Sequence, residues 1–382
     1  MYSTSGLRLH DNEALESYIE KLKTVDDYID SQILNLKTGQ AEGINLPKLV
    51  VKNCIEILDD ALEKEGNDFF LFKALNAKGY QNEELTIEVL NAFKKLQSFL
   101  SDEYYNGARE KIGIKENING KAYYEQRVRY FTTLDMTPQE VFDLGQSEVK
   151  RIRGEMESII DELEFEGSFD DFLNFLREDP QFYAQTPEEL LKHAAWLSKK
   201  AEEILPRYFG HLPRLPFTVN PVPAAIAPNY TTGRYSGGSM DRQKAGEYWV
   251  NTYNLPARPL YVLPSLTLHE AVPGHHLQIS LANELKKDLP DFRSQYLSAY
   301  GEGWGLYSEY LGKEAGLYTT AYEDFGRLTY EMWRACRLVV DPGMHYFDWT
   351  REEAVNFMKI NTALSMHEIN TEINRYIGWP AQ

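Results

Sequence analysis

A chain of 382 residues with 43% hydrophobic side chains is long enough to bury a large core, in two lobes or one large domain, and its composition excludes disorder. A formal net charge of -18 argues against nucleic-acid and anionic-membrane partners, which need clustered Lys and Arg, and favours substrates that are neutral or cationic overall. The two cysteines, Cys54 and Cys336, lie in apolar helical patterns and read as buried free thiols, so neither a disulfide framework nor a Cys-rich zinc module is expected.

The opening MYSTSGLRLHDNEALESY contains no apolar signal core, and no uncharged run is long enough to span a bilayer. The chain as given reads as soluble and cytoplasmic. Both ends look like cuts, so a preceding signal would make it secreted or periplasmic. From Asn12 to about Tyr104, segments such as ALESYIEKLKTVDDYIDSQILNL repeat apolar residues every three to four positions and predict amphipathic helices. Capping signatures then place helix starts at Thr137 (TPQE), Thr186 (TPEE), Thr350 (TREE) and Ser365 (SMHE), with helices near 137–163, 186–208, 350–360 and 365–377.

Between the second and third of these, LPFTVNPVPAAIAPNYTTGRYSGGSMDRQKAGEYWVNTYNLPARP is rich in Pro, Gly, Tyr and β-branched residues. Two short strands are expected there, near 215–220 and 246–254, with a glycine-bearing loop around YSGGS. GEYWVNTYNL is the candidate edge strand for pairing with an extended peptide, with Tyr235, Tyr248 and Asn251 lining the cleft and TTGRYSGGS covering it. The predicted fold is mainly α, a two-lobed helical architecture with a small antiparallel sheet beside the cleft. Domain boundaries fall at 1–125 for a helical region and 126–382 for a catalytic region with a β insert at about 213–256.

Next comes TLHEAVPGHHLQ, residues 267–278. A hydrolytic zinc site needs three protein ligands, an open position for water and a nearby carboxylate. His269 and His275 are six apart, so a regular helix would leave them about 120° apart around its axis; His276 faces the right way but lies about 10 Å along it. Pro273 lacks an N–H and forces the helix open, and Gly274 gives the backbone freedom to rejoin, so a bulge over 272–274 is expected to bring His275 or His276 towards His269. His10, His193, His211 and His367 read as ordinary core or surface histidines.

HEAVPGHH, followed by AYGEGWGLYSEYLG, VVDPGMHYFDWTREEA and INRYIGWPAQ, resembles the DUF885 family, which is similar to zinc metallopeptidases of the glutamate-ligand (gluzincin) type; the likeness runs from about Lys121 to Gln382. It implies a Zn2+ site of His269, His275 and Glu302. It further implies that His345 or Tyr376 stabilises the oxyanion, with Arg337 and Arg375 as alternative donors or carboxylate binders. Glu270, beside a ligand and unable to point the same way, is the natural general base. Glu309, seven residues beyond Glu302 and about 10 Å along the axis, suits a supporting role, and His276 is the alternative second ligand. The family usually reads WPGQ with a further helix, so WPAQ predicts a truncated C-terminal wall. The expected function is hydrolysis of a peptide bond by a metallopeptidase, a peptidase or carboxypeptidase. The rival readings are an amidohydrolase acting on a small non-peptide amide or ester, and a binding or scaffold protein with a degenerate site.

Overall fold

A computed structural model describes residue 9 and residues 11–64, 66–224, 226–286 and 289–382. His10 lies outside them. The chain divides into two compact units, one ending at Lys121 and one spanning Ala122–Gln382. The first holds α1 (Asn12–Lys23), α2 (Val25–Ala41), α3 (Lys48–Leu62), α4 (Lys73–Asn76), α5 (Glu83–Ser98) and α6 (Tyr105–Gly107). Its apolar stripes close on two clusters, one around Phe69, Phe72, Leu75 and Val89, the other around Val51, Leu58, Phe99 and Tyr104. Cys54 is exposed, contrary to expectation, and Cys336 is buried; both are free thiols.

α7 (Gly120–Thr132) leads into the second unit, which continues with α8 (Pro138–Glu162), α9 (Phe169–Glu178) and α10 (Pro187–Tyr208). After the sheet come α11 (Leu263–Glu270), α12 (His275–Glu284), α13 (Ser298–Glu314), α14 (Ala321–Tyr346), α15 (Arg351–Asn361) and α16 (Met366–Gly378). Thr137 and Thr350 form full capping boxes with Glu140 and Glu353. At the other two starts only half the box forms. Thr186 and Ser365 cap their helices, but Glu189 turns to the Gln185 N–H at 2.7 Å, and Glu368 goes to Arg258 at 2.5 Å. Both charges of the Arg258–Glu368 pair are buried, and a guanidinium is a stronger partner for a buried carboxylate than a helix-end amide. No described helix is long and apolar enough to cross a membrane.

The sheet is mixed, not antiparallel. It has three strands, β1 (Phe217–Pro221), β2 (Gly233–Ser236) and β3 (Gly246–Val250), in the order β1-β3-β2, with β1 parallel and β2 antiparallel to β3. GEYWV is therefore the central strand, paired on both sides and unable to accept a peptide. The expected covering loop supplies β2, an edge strand. Ala201 and Leu205 of α10, Leu268 of α11, Val272 of the turn that follows it and Leu277 of α12 pack in one cluster with Phe217 and Trp304 at its margin. Each buried Leu or Val of this cluster contributes roughly 1.5–3 kcal/mol, and together they fix the floor on which α11, α12 and α13 meet.

Candidate metal centre

The predicted bulge is a full break. α11 ends at Glu270 and α12 begins at His275, with residues 271–274 forming a turn that contains the cis Val272–Pro273 peptide. A Cβ on Gly274 would lie 1.9 Å from the His269 carbonyl oxygen, so only glycine permits the chain to double back this closely. The Trp304 indole N–H of α13 donates to the Pro273 carbonyl at 2.8 Å and ties the turn to the neighbouring helix.

This turn sets the imidazoles of His269 and His275 at right angles, with ring centres 4.7 Å apart. Their Nε2 atoms lie 3.5 and 3.9 Å from the two carboxylate oxygens of Glu302. The ligand atoms of His269, His275 and Glu302 are all within 4.8 Å of one another. Tetrahedral bonds of about 2.0–2.2 Å to zinc place ligand atoms roughly 3.4 Å apart, so small side-chain adjustments close this trio on one ion. Both histidines are buried, whereas the Glu302 side chain is 54% exposed and opens the centre to solvent.

Gly305 explains how one helix serves His269 twice. A Cβ there would sit 2.4 Å from His269 Cε1, so the imidazole lies against bare backbone of α13. Its Nε2 faces Glu302 and its Nδ1 faces Glu309, whose Oε1 is 2.8 Å away. Arg334 of α14 lies 3.0 Å from both Glu309 Oε1 and His269 Nδ1. Since a carboxylate can accept from both, Nδ1–H and the guanidinium share Glu309, and in the neutral ring the lone pair then falls on Nε2, the nitrogen that faces Glu302. Burial and Arg334 oppose a charge on His269, yet its hydrogen bonds to Glu302 and Glu309 and the field of Glu270 lift it to about 9. Partial burial likewise works against ionised Glu302, but the bond and charge of His269, with His275 and Arg334, hold it well below the usual carboxylate range. The cluster is built around positive charge.

Glu270 is buried beside the trio and accepts the Tyr235 N–H of β2 at 2.6 Å through Oε2. Tyr296 donates to Glu302 Oε1 at 3.2 Å. His276 turns the other way: its Nδ1 meets the Tyr235 hydroxyl at 2.9 Å, its ring lies 4.6 Å from that of Phe217, and burial drives its pKa down to about 4.

Several other expected site residues are placed elsewhere by their own hydrogen bonds. Tyr235 and Tyr248 are buried, the latter against Thr267 at 3.3 Å. Asn251 is buried and donates to the Ala227, Tyr230 and Thr231 carbonyls. None of the three side chains lines an open cleft. His345 is fully buried with Nε2 at 3.0 Å from the Tyr376 carbonyl, and the buried Tyr376 hydroxyl accepts the Trp333 indole N–H at 2.6 Å. Packed this way, neither is presented to a substrate oxyanion. Arg337 holds the Gln382 carbonyl and lies over the Tyr376 ring; Arg375 pairs with Glu372 at 2.5 Å and with Gln382 Oε1 at 2.9 Å. Arg234, Arg334, Tyr296 and Trp304 were not singled out from sequence. The only signal for them is adjacency: Arg234 precedes Tyr235, and Trp304 lies within GEGWG.

Comparison with known proteins agrees with this architecture. The profile of the family described as "Bacterial protein of unknown function (DUF885)" matches residues 4–382. Among solved structures, one described as the "putative lipoprotein from Colwellia psychrerythraea" is 28% identical with a TM-score of 0.91, over 98% of this chain and 68% of that one. A second, a "putative lipoprotein of unknown function from Shewanella oneidensis", is 18% identical with a TM-score of 0.66, over 97% of this chain and 69% of that one, a likeness of fold. No curated protein matches. With nearly its whole length matched, the chain belongs to the DUF885 family of bacterial proteins of unknown function.

Proposed function

We propose that this protein is a zinc-dependent hydrolase of peptide bonds, similar in its chemistry to gluzincin metallopeptidases, with the second unit as its catalytic region. The observation that carries the reading is the convergence of His269, His275 and Glu302 within 4.8 Å, beside a carboxylate, Glu270, that ligates nothing. Two imidazoles and one carboxylate are a donor set suited to zinc, and three protein ligands leave a position open. When bound, the ion would supply Lewis acidity, lowering the pKa of its water towards about 7 and polarising the scissile carbonyl.

The residues of the chain do the rest. Glu309 and Arg334 fix the tautomer and plane of His269, and Tyr296 orients the Glu302 carboxylate. The Tyr235 N–H pins Glu270 Oε2, leaving Oε1 to take a proton from the attacking water. The water oxygen bonds to the carbonyl carbon, the C–N bond breaks, and Glu270 returns the proton to the departing amine, so that one water is consumed for each acid and amine released. The test is cleavage of a mixed peptide library by the zinc-loaded wild type and by Glu270→Gln. Removing the base is expected to lower the rate by about 10²–10⁴ while zinc content is kept. Loss of zinc in Glu270→Gln, or undiminished cleavage, would contradict the assignment.

A further inference from the structure

Three arginines of α14 and α16 are already engaged. Arg334 is held by Glu309 and the Tyr330 carbonyl, Arg375 by Glu372 and Gln382, and Arg337 by the Gln382 carbonyl and the Tyr376 ring. Arg234 differs. It is exposed, it sits on the edge strand β2, and among the described residues it forms no ion pair. The next residue, Tyr235, is the one whose N–H holds Glu270, so the Arg234 side chain is rooted one residue from the group assigned to activate water. Burial opposes its charge, but the Tyr230 phenol bonds it and the fields of Glu270 and Glu302 reach it; it acts in turn on Tyr296. Rooted beside the N–H that Glu270 accepts, the guanidinium is within a side chain's length of the centre.

A guanidinium at such a place that bonds the Tyr230 phenol but has no carboxylate partner among the described residues has a specific chemical use. Its planar donors match a carboxylate in a two-pronged fit, which neither a neutral carbonyl nor an amide can reproduce. An extended peptide advances about 3.3–3.6 Å per residue, so a carboxylate one residue beyond the scissile bond falls within reach of a side chain anchored beside Glu270. Building on the hydrolase reading, we propose that Arg234 captures the free C-terminal carboxylate of the substrate, and that the enzyme is a carboxypeptidase that releases C-terminal residues. A free peptide held in this way need not be acidic overall, so the strongly negative net charge is no obstacle.

Two otherwise identical peptide libraries, one ending in free carboxylate and one in carboxamide, test this on zinc-loaded protein. The wild type is expected to cleave the free-acid library at least tenfold faster, trimming from the C-terminus. In Arg234→Gln that acid-to-amide ratio should collapse towards one, with the loss carried by KM, and Arg234→Lys should recover part of it. A ratio near one in the wild type, or a ratio unchanged in Arg234→Gln because both libraries slow equally, overturns the proposal; equal slowing would mark an oxyanion or structural role. Retention of the two libraries on zinc-loaded Glu270→Gln protein, with and without Arg234→Gln, separates the two readings. If nothing is cleaved but acid peptides are retained through Arg234, the hydrolase reading fails and the carboxylate site stands. If cleavage proceeds without acid preference and retention does not depend on Arg234, the reverse holds. Zinc content and circular dichroism of Arg234→Gln guard against misfolding.

Discussion

The turn between α11 and α12 and the buried face of α14 and α16 are made of the same kinds of residue, yet they do opposite things with them. At the turn, His269 and His275 keep their Nε2 atoms turned to a half-exposed carboxylate, and their other nitrogens are held by Glu309 and Gln278. On α14 and α16, His345 meets the Tyr376 backbone carbonyl and the Tyr376 hydroxyl accepts the Trp333 indole N–H, inside the core. The difference is one of backbone. A broken helix with glycines at the close approaches leaves polar atoms aimed at a shared space, whereas a continuous helix buries them and pairs them off. His276, adjacent to His275 but one step further round α12, shows how local the distinction is.

That contrast can be broken most severely at Gly305. A methyl group there would meet His269 at 2.4 Å, so Gly305→Ala is expected to displace the imidazole and lower zinc affinity at least a hundredfold, read by titration of zinc against a chelator, with the fold intact by circular dichroism. Unchanged affinity would mean the ring does not need its place against α13. A milder change is Glu309→Gln, which keeps the shape but removes the charge that His269 and Arg334 share. Supporting partners of this kind typically contribute ten- to a hundredfold in affinity, and that loss is expected in the same titration. The smallest effect should come from the buried face. Tyr376→Phe deprives the Trp333 N–H of its acceptor, which costs about 1 kcal/mol of stability in denaturant unfolding, and leaves zinc content and cleavage within about twofold. A loss of cleavage near a thousandfold would restore Tyr376 to the reaction.

Much of the helical frame was legible because its signals are local. Thr137 and Thr350 start their helices where their own hydroxyls and the glutamates three residues on demand it. The break at Pro273–Gly274 was legible for the same reason, since a missing N–H and a missing Cβ are properties of single residues. What was hidden depends on partners far along the chain. Glu368 abandons its helix cap for Arg258, a choice that burial makes and spacing cannot reveal. GRYS, four residues with a glycine and a serine at its ends, carries almost no alternation, so in sequence β2 is indistinguishable from loop and the central strand from an edge. Arg234 and Arg334 were missed because an arginine in sequence does not disclose whether a carboxylate awaits it.

Zinc stoichiometry in His275→Ala and His276→Ala, set beside the wild type, tests the centre most directly. Metal analysis after supplementation should find about one equivalent in the wild type and in His276→Ala, the latter being less stable because Tyr235 loses a buried partner, and less than about a tenth of an equivalent in His275→Ala. Zinc retained in His275→Ala and lost in His276→Ala, or absent from the wild type, would contradict the account.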